Sequence, residues 1–142
     1  MHNSSSNNTI NWLKKSDLRP TRQRLAVAEA LIGDGNDRHV TAESLFSSVN
    51  QNGEAISLAT VYNTLNTFRD AGLLTEVVVD PHKSYFCTRV DDHPHFYWED
   101  KGLLTDAPND KLQMTGIPEA PDGAEISKVD VVIRLREKKL KI

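Results

Sequence analysis

The 142-residue chain holds a single cysteine, Cys87, which excludes an intrachain disulfide framework and any paired-thiolate zinc clamp. It has no apolar run of membrane-spanning length, and residues 1–9 are a polar Asn/Ser string without a signal-peptide core, so a cytoplasmic protein with no membrane association is expected. An excess of basic residues is missing too. Seventeen Lys and Arg against 20 Asp and Glu leave a formal charge of -3, which argues against a surface built throughout for phosphate. There is no HExxH helix, no nucleophile elbow and no phosphate-cradling glycine loop, so the chain is expected not to be an enzyme. What is there, 38% hydrophobic and 26% charged, suits a globular protein of one domain or two small ones.

The charge is unevenly spread. Lys14, Lys15, Arg19, Arg22 and Arg24 face Asp17 alone between residues 10 and 24, five cations against one anion, or +4. Downstream lies SLATVYNTLNTFRDAGLL, Ser57 to Leu74, a helix with both ends marked: Ser57 is a good N-cap and Gly72 a stop. Leu58, Val61, Leu65 and Phe68 recur at spacings of three, four and three and define one buried stripe. The other face is left to Ala59, Thr60, Tyr62, Asn63, Asn66 and Thr67. Small groups, amides, hydroxyls and an aromatic without charge are the types that read base edges and thymine methyls in a major groove. An ordinary amphipathic helix with a polar outer face satisfies the same pattern; the basic patch ahead of it favours DNA. Ser57, Ala59, Thr60, Tyr62, Asn63 and Asn66, with Arg19 from the patch, are the candidate contacts.

Along the chain, residues 1–9 read as a disordered leader and residues 10–90 as a winged-helix DNA-binding domain. Helices are expected over Ile10–Ser16, from about Thr21 to Ile32 after Pro20, and from Thr41, with a hairpin of Thr75–Val79 and Lys83–Val90 as the wing. A second unit, residues 91–142, offers short strands at His95–Glu99 and Leu103–Ala107. In it Lys128–Glu137 alternates, with Val129, Val131, Ile133 and Leu135 on one face of a half-buried strand. Three prolines and two glycines between Pro108 and Gly123 leave room for a short helix at most. So small a unit cannot bury much core alone, which predicts pairing with a second copy and a homodimer on a palindromic operator.

His93-Pro94-His95 places two imidazoles on one side of an extended segment. With His39, Cys87 and Asp106 they form a candidate metal set. Imidazole with carboxylate suits Fe(II), Mn(II) or Zn(II), and imidazole with thiolate suits zinc or haem iron. A zinc-dependent enzyme and a winged helix that binds only protein are the alternatives.

These stretches, LRPTRQRLAVAEAL at Leu18–Leu31, HVTAESLF at His39–Phe46, SLATVYNTL and KSYFCT around Cys87, resemble the ferric uptake regulator (Fur) family of bacterial transcription factors. The tail GIPEAPDGAEISKVDVVIRLREKK is similar to the iron response regulator (Irr) branch, linked to haem and iron control in alphaproteobacteria. The resemblance implies an α+β chain, an N-terminal winged helix-turn-helix followed by a small C-terminal α/β dimerisation domain that carries the metal or haem sensor. It implies regulation of iron and haem genes at palindromic AT-rich operators. By position Tyr62 contacts thymine, Arg19 reaches the minor groove, and Asn63 stands where many relatives place an arginine. The regulatory metal site falls on His39, Cys87, His93, His95 and Asp106, with Cys87 replacing the usual carboxylate.

The family's structural zinc site, built from four cysteines, requires thiols where Trp98 and Lys101 stand, so it is expected to be absent. A second C-terminal metal site falls on Asp92, Pro94, Gln113 and Val129, of which only Asp92 can ligate. Both losses fit the Irr branch, with haem bound through His93 or His95 or brought by a haem-delivering enzyme. Against it, His93-Pro94-His95 replaces three consecutive histidines and Thr88 rather than proline follows Cys87. Haem control of DNA binding is therefore the expected function, and a Fur-type sensor with Fe(II) or Mn(II) as corepressor the alternative.

Overall fold

The computed structural model describes residues 3–139 and opens with helix α1 (Asn3–Lys14). This corrects the expected leader and the expected helix start at Ile10, although Met1 and His2 lie outside the described residues. An Asn/Ser-rich segment has poor intrinsic helix propensity; tertiary contacts override it. Thr9 and Leu13 are buried, the Thr9 hydroxyl donates to Glu29 Oε2 at 2.6 Å, and Trp12 meets the Phe68 ring edge-on with centroids 5.3 Å apart.

Three hydroxyls start the next three helices. Thr21, Thr41 and Ser57 each lie in extended backbone and accept a hydrogen bond from the amide three residues on, at 3.1–3.3 Å. They open α2 (Arg22–Ile32), α3 (Ala42–Gln51) and α4 (Leu58–Asp70), with the two-residue strand β1 (His39–Val40) between α2 and α3. At the end of α4, Gly72 takes φ +81° and donates to the Arg69 carbonyl while Leu73 donates to that of Phe68. That pair of bonds is a Schellman stop, which a Cβ at Gly72 would strain. Val61, Leu65 and Phe68 are fully buried against Val27, Ala28 and Leu31 of α2 and Leu45 and Val49 of α3.

The wing follows as β2 (Thr75–Asp80) and β3 (Lys83–Cys87), turned at Pro81-His82 with the His82 amide donating to Asp80 Oδ1. It has one strand more than expected: β1 pairs antiparallel with β3, giving the order β1-β3-β2. β3 also stops at Cys87, short of Val90, where its partner strands run out.

The chain divides at Val90/Asp91 into two units. The second is a three-stranded sheet of β4 (His95–Trp98), β5 (Leu103–Asp106) and β6 (Val132–Leu135), in the order β5-β4-β6 with β6 parallel to β4. A parallel pair requires a crossover, supplied here by residues 107–131 with no helix among the described residues. The chain as a whole mixes four described helices with two small sheets, the α+β class expected, although the described residues of the second unit supply strands and no helix. The strand expected over Lys128–Glu137 is likewise shorter, because β4 offers only four partners. Its apolar face is not half-buried throughout: Val129 and Ile133 are exposed. No described helix is long and apolar enough to cross a membrane.

Candidate nucleic-acid interface and metal centre

The faces of α4 separate as its spacing requires. Tyr62, Asn63 and Ala59 are exposed, Thr60, Asn66 and Thr67 half-buried, and the Leu58/Val61/Leu65/Phe68 stripe packs on the core. Ser57 spends its hydroxyl on the helix, accepting from the Thr60 amide and donating to Thr60 Oγ1 at 3.0 Å, so it shapes the N-terminus more than it offers a free hydroxyl. Arg19, Thr21, Arg24, Thr60, Asn63 and Thr67 line a groove of ≈ 450 Å³ between the start of α2 and α4. Arg24 donates to the Arg19 carbonyl at 3.2 Å and fixes the approach to Pro20. Of the expected basic patch, Arg19 and Arg24 therefore share one concave surface with Thr60, Asn63 and Thr67 of α4, which suits a phosphate backbone beside base edges; Lys14 and Lys15 line a separate hollow with Trp12, and Arg22 pairs with Glu54.

Sequence reasoning missed Glu43, whose Oε2 accepts a 3.2 Å hydrogen bond from the Tyr62 hydroxyl. Nothing in the local pattern of α3 announces it, since the two residues are 19 apart. Burial and the Glu43 carboxylate raise the Tyr62 phenol above its ordinary pKa.

The expected metal ligands fall into two groups. In the first unit His39 and Cys87 are cross-strand partners of β1 and β3. Their ladder is pinned one residue along: the Arg38 amide donates to Thr88 Oγ1 at 2.9 Å and the Thr88 amide to the Arg38 carbonyl at 3.1 Å. Arg38 also donates to the Ala30 carbonyl and pairs with Asp34, tying this edge to the end of α2. That clamp was not legible in the sequence. In the second unit His95 is the cross-strand partner of Asp106. Asp106 Oδ1 lies 2.7 Å from His93 Nε2 and 3.5 Å from His95 Nε2, and the imidazole centroids are 4.3 Å apart.

His93 carries a fit test for a cation. Its Nδ1 faces the Asp91 carbonyl at 2.6 Å and its Nε2 faces the Asp106 carboxylate. Both neighbours accept hydrogen bonds, and a neutral imidazole has one N–H. The arrangement is satisfied by an imidazolium, or by a neutral ring that donates from Nδ1 and gives Nε2 to a metal ion shared with Asp106. The second is the usual outer-sphere support of a metal-bound histidine. At the positions of the expected-absent zinc clamp, the Lys101 ammonium lies 5.0 Å from the Trp98 ring centre and pairs with Glu137, a donor set without a thiolate.

A profile described as "Ferric uptake regulator family" matches residues 15–133. The ferric uptake regulation protein of Shigella flexneri is 39% identical over 108 residues, 75% of this chain and 71% of that protein. The peroxide operon regulator of Bacillus subtilis is 34% identical over 97 residues, 68% and 66% of the two chains. Among solved structures, the Vibrio cholerae ferric uptake regulator superposes with a TM-score of 0.67 at 25% identity, covering 89% of this chain and 98% of that one.

Proposed function

The chain belongs to the ferric uptake regulator family, metal-responsive transcription regulators and not enzymes, and on that premise we propose that it is a homodimeric cytoplasmic repressor with Fe(II) or Mn(II) as corepressor. In this reading α4 enters the major groove of a palindromic operator with Ala59, Thr60, Tyr62, Asn63 and Asn66 toward the bases, and Arg19 reaches the adjoining minor groove. Tyr62 meets a thymine. Ser57 supports the helix start, and the groove at Arg24 takes the phosphates.

His93, His95 and Asp106 hold the ion. The observation that carries a divalent ion over haem is Asp106, whose carboxylate faces both imidazoles. Two imidazoles and an anionic oxygen are a donor set for Fe(II), Mn(II) or Zn(II), whereas haem iron already has its porphyrin nitrogens and takes from a protein only one or two axial ligands. The relatives named above are regulators of ferric uptake and of a peroxide operon, which supports the metal reading and gives none to haem or to a haem-delivering partner. When bound, the ion adds positive charge at the ligand cluster. It shifts the equilibrium toward the DNA-binding arrangement only by binding that arrangement more tightly.

The test is operator binding by metal-free protein, repeated with Fe(II), with Mn(II) and with haemin. The metal reading predicts tight, sequence-selective binding only after Fe(II) or Mn(II) is added. Binding by metal-free protein that haemin abolishes would replace it with the haem-released reading. Equal affinity for operator and random duplex under every condition would end the operator-binding account.

A further inference from the structure

We propose that Glu43 is a specificity-determining residue of the DNA-reading surface: by taking the Tyr62 hydroxyl proton in a hydrogen bond it leaves that phenol able to accept but not to donate, and so biases the base that Tyr62 meets against guanine. The inference rests on α4 being the helix that reads DNA.

Glu43 is held in place by its backbone. Its neighbours Ala42 and Leu45 are buried in the core, and the Thr41/Ser44 capping box fixes the first turn of α3 around it. The side chain is exposed there, in the first turn of the helix. A carboxylate only accepts hydrogen bonds, so in the contact between Glu43 Oε2 and the Tyr62 hydroxyl the phenol must be the donor. Tyr62 is 39% exposed, and the oxygen lone pairs and ring edge are what it has left to present.

Base edges sort themselves against such a group. Adenine and cytosine offer amine donors, N6 and N4, and thymine its methyl, whereas guanine shows acceptors alone, N7 and O6, in the major groove. Phosphate oxygens are acceptors too. A phenol whose proton is committed can therefore meet adenine, cytosine or the thymine methyl but loses its hydrogen bond to guanine or to the backbone. Glu43 adds a second discouragement to backbone contact, because it puts a negative charge beside a face to which α4 contributes none.

The experiment is selection from a randomised duplex library in Mn(II)-containing buffer, using the full chain as wild type, Glu43→Ala, Tyr62→Phe and the double variant, with melting temperatures confirming that all four fold. In the wild type guanine should be disfavoured at the Tyr62 position. Glu43→Ala should raise its acceptance about fivefold, because the freed hydroxyl can then donate. The double variant should match Tyr62→Phe, since without a hydroxyl Glu43 has nothing to hold. Unchanged base preference in Glu43→Ala, or a relaxation of the same size in the Tyr62→Phe background, overturns the proposal. A Tyr62→Ala control whose selected sites equal those of the wild type at every position would instead overturn the reading of α4 on which it rests. Glu43→Gln, which removes the charge and keeps an accepting oxygen, should hold the base preference and tighten binding to random duplex. If it relaxes the preference as much as Glu43→Ala does, charge rather than proton commitment sets it and the proposal fails.

Discussion

The two units bury their apolar residues to very different degrees. The first closes four helices over fully buried Phe68, Leu65, Leu31 and Val27 and lays a three-stranded wing beside them. The second has three strands of four residues, buries Tyr97, Leu104 and Ala107, and leaves Leu103, Met114, Ile117, Ile126, Val129 and Ile133 exposed. Burial is the main favourable term in folding. The first unit therefore has the larger core of its own, while the second leaves much of its apolar surface uncovered. In the homodimer proposed above, a second copy is its cover.

Core truncation should separate the units most sharply. Phe68→Ala, in a Trp98→Phe background so that Trp12 alone reports, should cost about 3–5 kcal/mol in denaturant unfolding. A loss below about 1 kcal/mol would mean that the helical core is not what stabilises the first unit. Ile133→Asp tests the other half. It should weaken self-association by about thirtyfold or more in sedimentation, roughly 2 kcal/mol, while the Trp12 unfolding transition stays near its wild-type midpoint. An unaltered dimer would place the interface elsewhere.

Smaller effects probe the reading surface. Tyr62→Ala should remove about 1–3 kcal/mol of discrimination between operator and mismatched duplex without lowering stability, because the ring lies outside the core. Ser57→Ala should cost about 1 kcal/mol of unfolding free energy through the lost cap and leave base preference as it was. A change in selected sequence instead would make Ser57 a direct contact.

Legibility followed the same divide. The start and end of α4 could be read from Ser57 and Gly72, because cap chemistry and positive φ are local demands, and its stripe could be read because the core it meets lies within the same unit. Of α1 only the part from Ile10 could be read: the segment before it has poor helix propensity, and Thr9 is held by Glu29, twenty residues away. β1 is two residues long and exists only through β3. The alternation of Lys128–Glu137 overstated β6, since alternation reports which face a residue would take and not how many partners the neighbouring strand supplies. Among the ligands, His93 and His95 stood out by spacing. The contact of Asp106 with both rings, and the use of the Asp91 carbonyl to orient His93, are products of strand register that no spacing rule contains.

In the function proposed above, one ion and the operator stabilise the same arrangement of the chain. Coupling between two ligands is reciprocal, so the most direct measurement is the Mn(II) affinity of the dimer with and without saturating operator duplex, beside the operator affinity with and without Mn(II). Operator should tighten Mn(II) binding by the same factor by which Mn(II) tightens operator binding, and both factors should fall to one in His93→Ala/His95→Ala. A Mn(II) affinity indifferent to operator would contradict the proposed function.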